Sequence, residues 1–75
     1  MAWRSFGKRR KRTVGTAQGD EVICADLMAS EEDPGDKYLM LADSEFGTVK
    51  LRRAHLDWLI RELPAMRDEL YRGPR

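Results

Sequence analysis

Residues 47–70 read GTVKLRRAHLDWLIRELPAMRDEL, and the hydrophobic period changes inside this stretch. Up to Arg52 the period is two, with Val49 and Leu51 alternating with Thr48, Lys50 and Arg52. Successive side chains on a strand point to opposite faces, so Thr48–Arg52 predicts a strand with one apolar and one cationic face. From about Arg53 the period is helical. Leu56, Leu59, Ile60, Leu63, Met66 and Leu70 stand at offsets 0, 3, 4, 7, 10 and 14, which is one stripe of a long amphipathic helix. Asp57 and Arg61 lie one turn apart and suit an ion pair. Pro64 interrupts the pattern; within a helix it removes an amide donor and crowds the preceding turn, at a cost of roughly 3 kcal/mol. A kink near Glu62–Leu63, or two helical pieces sharing the stripe, is expected. Gly73-Pro74 ends the helix.

Working outward, Ser44–Gly47 is a short turn suited to a hairpin. Before it, Lys37–Asp43 (KYLMLAD) alternates Leu39 and Leu41 with Tyr38 and Met40. Pro34-Gly35 marks a turn in ASEEDPGD. Glu21–Met28 (EVICADLM) places Ile23, Ala25 and Leu27 on one face and Val22, Cys24 and Asp26 on the other. Ala2–Phe6 is a possible short strand anchored by Trp3 and Phe6. Residues 7–20, GKRRKRTVGTAQGD, are polar, basic and glycine-punctuated, and are expected to form a flexible loop or arm, with Arg12–Gln18 as a weak extension of a strand. Strands linked by hairpins and followed by a helix define an α+β fold. The expected architecture is an antiparallel sheet of three to four strands, with one long C-terminal helix packed on its apolar face. The open face would then show Tyr38, Met40, Lys50 and Arg52. Residues 1–75 make a single small domain.

A chain of 75 residues buries a small core, and such chains usually rely on disulfides, a metal or a second subunit. Cys24 is the only cysteine and His55 the only histidine, so neither an internal disulfide nor a cysteine or clustered-imidazole metal site is available. A homodimer is therefore expected. The lone thiol suits a reducing cytoplasm. No segment reads as a signal peptide, and no apolar run approaches the roughly 20 residues that span a bilayer. A cytoplasmic protein without a membrane or cofactor requirement is expected.

Charge is distributed unevenly. Residues 1–19 carry +6 and residues 20–75 carry −5, so the total of +1 hides a polarised molecule. Arg4 and the run Lys8, Arg9, Arg10, Lys11, Arg12 supply the positive part. A dense cationic segment suits a polyanion, because each neutralised phosphate releases condensed counterions. The run also reads as a solvated tail, or as a contact for an acidic protein, an anionic lipid or a localisation receptor. Trp3 and Phe6 suit base stacking or core and dimer contacts. Lys50 and Arg52, with Tyr38 on the same strand face, are the structured candidates for phosphate contact. Trp58 lies off the helical stripe; with Leu59 and Met66 it is a candidate for the subunit interface, core packing being the other reading of Trp58. Enzyme chemistry is not expected. No phosphate loop and no nucleophile beside a base occur, Cys24 reads as a small structural residue, and His55 as a surface or interface residue. Glu31, Glu32, Asp33 and Asp36 lack calcium-loop spacing and read as a solvated loop.

The stretch GTVKLRRAHLDWLIRELPAMRDEL resembles the end of the transcriptional coactivator family called positive cofactor four. DKYLMLADSEFGTVKLRRAHLDWLIREL is similar to half of a repeat of the PUR family of purine-rich-element-binding proteins. The resemblance spans residues 36–70 and consists of strand, turn, strand and tryptophan-bearing helix. It implies a curved antiparallel sheet followed by one helix, a helix-built dimer, and single-stranded nucleic acid on the face that holds Tyr38, Lys50 and Arg52. Asp26 is acidic where such a face wants the opposite charge, and Pro64 is a departure from an unbroken helix. The same segment is similar to small bacterial companions of helix-turn-helix regulators, which implies regulatory protein contact. Two functions are thus expected in parallel. One is a nucleic-acid-binding module, for single-stranded DNA or RNA, in transcription or nucleic-acid processing. The other is a small module that contacts a transcription factor or RNA polymerase.

Overall fold

A computed structural model describes residues 2–73. Four strands precede one helix: β1 (Trp3–Thr16), β2 (Gly19–Ser30), β3 (Lys37–Asp43), β4 (Gly47–Leu51) and α1 (Arg53–Arg72). Each strand pairs antiparallel with the next, so spatial order follows chain order. The α+β class, with an antiparallel sheet followed by a single C-terminal helix, is as expected.

The register keeps the two faces apart. Leu27 lies opposite Leu39, Leu39 opposite Leu51, and Leu41 between Ala25 and Val49. These residues, with Ile23 and Phe6, form the apolar face. Met28 lies opposite Tyr38 and Met40 opposite Lys50, on the other face with Cys24 and Asp26. A period of two requires this separation once the register is fixed.

The turns are held by their own polar side chains. At the β1–β2 turn the Thr16 hydroxyl donates to the Gly19 carbonyl (2.7 Å) and accepts from the Gln18 amide (3.2 Å). The acidic β2–β3 loop is closed by Ser30 and Asp33. The Ser30 hydroxyl accepts from the amides of Glu32 and Asp33, and the Asp33 carboxylate accepts from the Gly35 amide. At the β3–β4 turn the Asp43 carboxylate accepts from the amides of Glu45 and Phe46. These local bonds explain why Ser and Asp occupy turn positions.

Residues 7–20 are not a loop or arm in this structure. They form most of β1, the two-residue turn and the start of β2. Five consecutive basic residues carry no hydrophobic alternation, yet the ladder needs only backbone groups. Pairing with the strongly patterned β2 orders them. Beyond Ile23, β2 has no partner in β3, so Thr13–Thr16 and Gly19–Val22 project as a two-stranded ribbon.

The helix does not pack on the sheet. Its main contact with the sheet is at β4, the strand it leaves, and none of its residues is buried. The cause is the connection. Arg52 alone separates the end of β4 from the start of α1, leaving no loop to turn the chain back over the sheet. The Arg52 amide donates to His55 Nδ1 (3.0 Å), which ties the first turn to the strand. Pro64 neither splits the helix nor divides it into two pieces; Arg53–Arg72 is one element. The carbonyl that Pro64 cannot bond belongs to Ile60, a residue 70 % exposed on the helix surface.

The consequence is a chain without a closed core. Among the described residues no hydrophobic side chain is buried, and the two buried polar residues are Asp26 and Ser30. The accessible surface is 6529 Å². A compact monomer of this mass would expose about 4700 Å². The radius of gyration is 15.1 Å, against about 11 Å for a compact chain of this length.

Candidate nucleic-acid interface

The polar sheet face carries two groups of side chains. The first gathers the residues that sequence reasoning proposed. Trp3 and Tyr38 meet across β2, edge to face, with ring centroids 5.0 Å apart and planes at 68°. The Lys50 ammonium lies 4.6 Å from the Tyr38 ring centre and 5.5 Å from that of Trp3. Arg52 lies 5.4 Å from the Tyr38 ring. A cation over an aromatic face is attracted by the ring quadrupole, so Tyr38 holds two cationic side chains in place. Arg52 is further fixed by an ion pair with Asp36 and a hydrogen bond to the Lys37 carbonyl. Lys50 makes no ion pair among the described residues.

The second group is built by an irregularity in β1. Phe6 pairs with Leu27 and Arg10 with Ala25, so Gly7, Lys8 and Arg9 together oppose Asp26 alone. Such a bulge re-aims side chains. Gly7 makes it possible: its φ is +67°, and an added Cβ would lie 3.3 Å from Leu27 Cδ1. Within the bulge Arg9 swings onto the polar face and grips Asp26. Its Nε lies 2.9 and 3.0 Å from the two carboxylate oxygens, and its Nη2 2.9 Å from Oδ2. The Asp26 side chain is 6 % exposed, that of Arg9 70 %. The hydrogen bond from Arg9 holds the Asp26 carboxyl below the usual aspartate range, against the opposing effect of desolvation. The same bond and the charge of Asp26 raise Arg9. The acidic residue on this face is therefore neutralised by the basic run.

The run does not form one patch. Lys11 pairs opposite Cys24 and shares the polar face with Arg9, whereas Arg10 and Arg12 pair opposite Ala25 and Ile23 and lie with the apolar face. Arg4 pairs opposite Ala29 and belongs to that face too. Arg10 also donates to the Lys8 carbonyl (3.2 Å). Arg4, Lys8, Arg10, Lys11 and Arg12 make no ion pair among the described residues. Charged side chains and a bulge on an unpaired edge strand also discourage strand addition, a structural role β1 fulfils whatever it binds.

The proposed interface residues lie elsewhere, on α1. Trp58 is 50 % exposed, Met66 is also exposed, and Leu59 is half-buried. Ile60, Leu63 and Leu70 extend the same uncovered surface. His55 is engaged at the start of α1, where its Nδ1 accepts from the Arg52 amide. Among the described residues no group of three or more His, Cys, Asp or Glu side chains is placed to hold a metal ion. No helix there is long and apolar enough to cross a membrane.

Sequence reasoning found Tyr38, Lys50 and Arg52 through strand alternation. It missed the partners Asp26 and Asp36. The signal for the first was available: an isolated glycine in a strand marks a bulge, and an acidic residue alternates with apolar ones on the neighbouring strand. No family model, curated protein or solved structure matches this chain.

Proposed function

We propose that this chain binds single-stranded nucleic acid on its polar sheet face and does so as a homodimer. The supporting observation is that Trp3, Tyr38 and Lys50 cluster on the face that also carries Arg9 and Lys11. Lys11 and Lys50, without ion pairs among the described residues, suit phosphates, and flat aromatic side chains give bases a stacking surface, which together suit a splayed single strand. Lys8, Arg10 and Arg12 add general attraction from the edge strand and ribbon.

The dimer is supported by the surface left uncovered. The accessible area exceeds that of a compact monomer by about 1800 Å². A standard interface removes about 800 Å² per partner. The apolar sheet face and the exposed helix residues Ile60, Leu63, Met66 and Leu70 are the surface open to such an interface.

Fluorescence anisotropy with single-stranded and duplex probes at two salt concentrations tests the binding reading. Tighter, salt-dependent binding of the single strand is expected; equal binding of both probes, or none, refutes it. The uncovered helix also favours a second reading, a regulatory contact with a transcription factor or polymerase. A stoichiometric protein partner that survives nuclease treatment, with the purified chain monomeric, would establish that alternative.

A further inference from the structure

The Arg9–Asp26 pair uses only part of the guanidinium. Arginine has five N–H donors arranged as two flat edges. Asp26 occupies the Nε/Nη2 edge in a two-pronged grip. Nη1 makes no hydrogen bond among the described residues, and the side chain is 70 % exposed. The end edge, formed by Nη1–H and the outer Nη2–H, is therefore open to solvent and held in one orientation by a carboxylate that is itself buried. The other basic residues of β1 have no such support.

We infer that Arg9 is a pre-oriented phosphodiester clamp and that Asp26 is its positioning residue. This rests on the reading that the polar face binds nucleic acid, and it names the group that fixes the strand's register there. A guanidinium edge matches two phosphate oxygens with two parallel N–H···O bonds, geometry that an ammonium cannot reproduce. Orienting the fork before binding removes an entropic cost that a free side chain bears on contact. Asp26 takes no phosphate itself; its charge cancels that of Arg9, so the clamp contributes direction rather than net attraction. The bulge at Gly7–Arg9 is the device that brings the fork to this face.

Two substitutions separate this role from charge and from structure. Arg9→Lys keeps a cation beside Asp26 and removes the fork. Its affinity for a fluorescein-labelled oligothymidylate is expected to fall about tenfold with the salt slope unchanged. Asp26→Asn keeps the shape and adds one net positive charge. Simple attraction requires it to bind more tightly; the clamp requires it to bind at least about threefold more weakly. Circular dichroism and Trp3 emission check the fold of each variant, and if Asp26→Asn does not fold, Arg9→Lys decides alone. Wild-type affinity in folded Arg9→Lys, or tighter binding by folded Asp26→Asn, overturns the clamp while leaving the face as a binding surface. Absence of salt-dependent binding by the wild-type chain overturns both.

Discussion

The division of the basic run between two faces makes a prediction that total charge cannot imitate. The double variants Lys11→Ala/Lys50→Ala and Arg10→Ala/Arg12→Ala each remove two cations with no ion pair among the described residues. Their net charges are equal. Lys11 and Lys50 belong to the polar face; Arg10 and Arg12 belong to the apolar face. Each lost contact with a single-strand phosphate lowers the salt slope by about 0.7, which amounts to about fivefold in affinity at 0.1 M salt. Lys11→Ala/Lys50→Ala should therefore lower the slope by about 1.4 and the affinity by about 25-fold. Arg10→Ala/Arg12→Ala should change affinity by less than about threefold, the residual effect of distant charge. Anisotropy titrations of a labelled single strand over a series of salt concentrations measure both quantities. The slope is the cleaner one, because removing Lys50 also uncovers Tyr38 and Trp3. Equal loss in the two variants, or greater loss for Arg10→Ala/Arg12→Ala, would refute a face-specific site and leave a diffuse cationic edge.

Three further outcomes test the assembly and the frame of the site. Leu63→Asp combined with Met66→Asp places charge in the helix stripe; sedimentation should show the wild type at twice the 8.7 kDa chain mass and the variant at once that mass, and a wild-type monomer at micromolar concentration would remove the dimer. Gly7→Ala forces a side chain into a left-handed position against Leu27; about 1–2 kcal/mol of stability should be lost, read as a lower melting temperature, and an unchanged melting temperature would show that the bulge relaxes freely. Asp26 is more acidic folded than unfolded, so its contribution to stability is complete above the ordinary aspartate value of about 4 and is lost as pH falls through the lower folded value. Asp26→Asn should flatten the loss of stability below about pH 4, and an identical acid profile would show that the pair contributes nothing there.

Much of this fold was legible because alternation and the switch from period two to period 3.6 are strong signals. Ile23, Ala25 and Leu27 against Val22, Cys24 and Asp26 gave the faces of β2, and Leu56 to Leu70 gave the helix stripe. The polar face at Tyr38, Lys50 and Arg52 followed from the same rule. Lys8–Arg12 was not legible as strand, because five like residues have no period and their order comes from pairing with β2. The position of the helix was not legible either. An apolar stripe states that a face is to be covered, not what covers it, and the deciding fact is the missing loop at Arg52. The partnership of Arg9 with Asp26 depends on the bulge at Gly7–Arg9, which the glycine signals only once residues 7–12 are taken as strand.

The junction between β4 and α1 has a mechanical consequence. Arg52 is the sole link between strand and helix, with φ −86° and ψ 171°. A helix of twenty residues is about 30 Å long, so a change of about 10° at this one hinge sweeps its far end through about 5 Å. The Arg52 side chain is clasped by Asp36, the Lys37 carbonyl and the ring of Tyr38, which damps that swing. The same residue thus borders the aromatic cluster and steers a lever. Any swing of α1 about this hinge must therefore strain or break the contacts of Arg52 with Asp36, the Lys37 carbonyl and Tyr38.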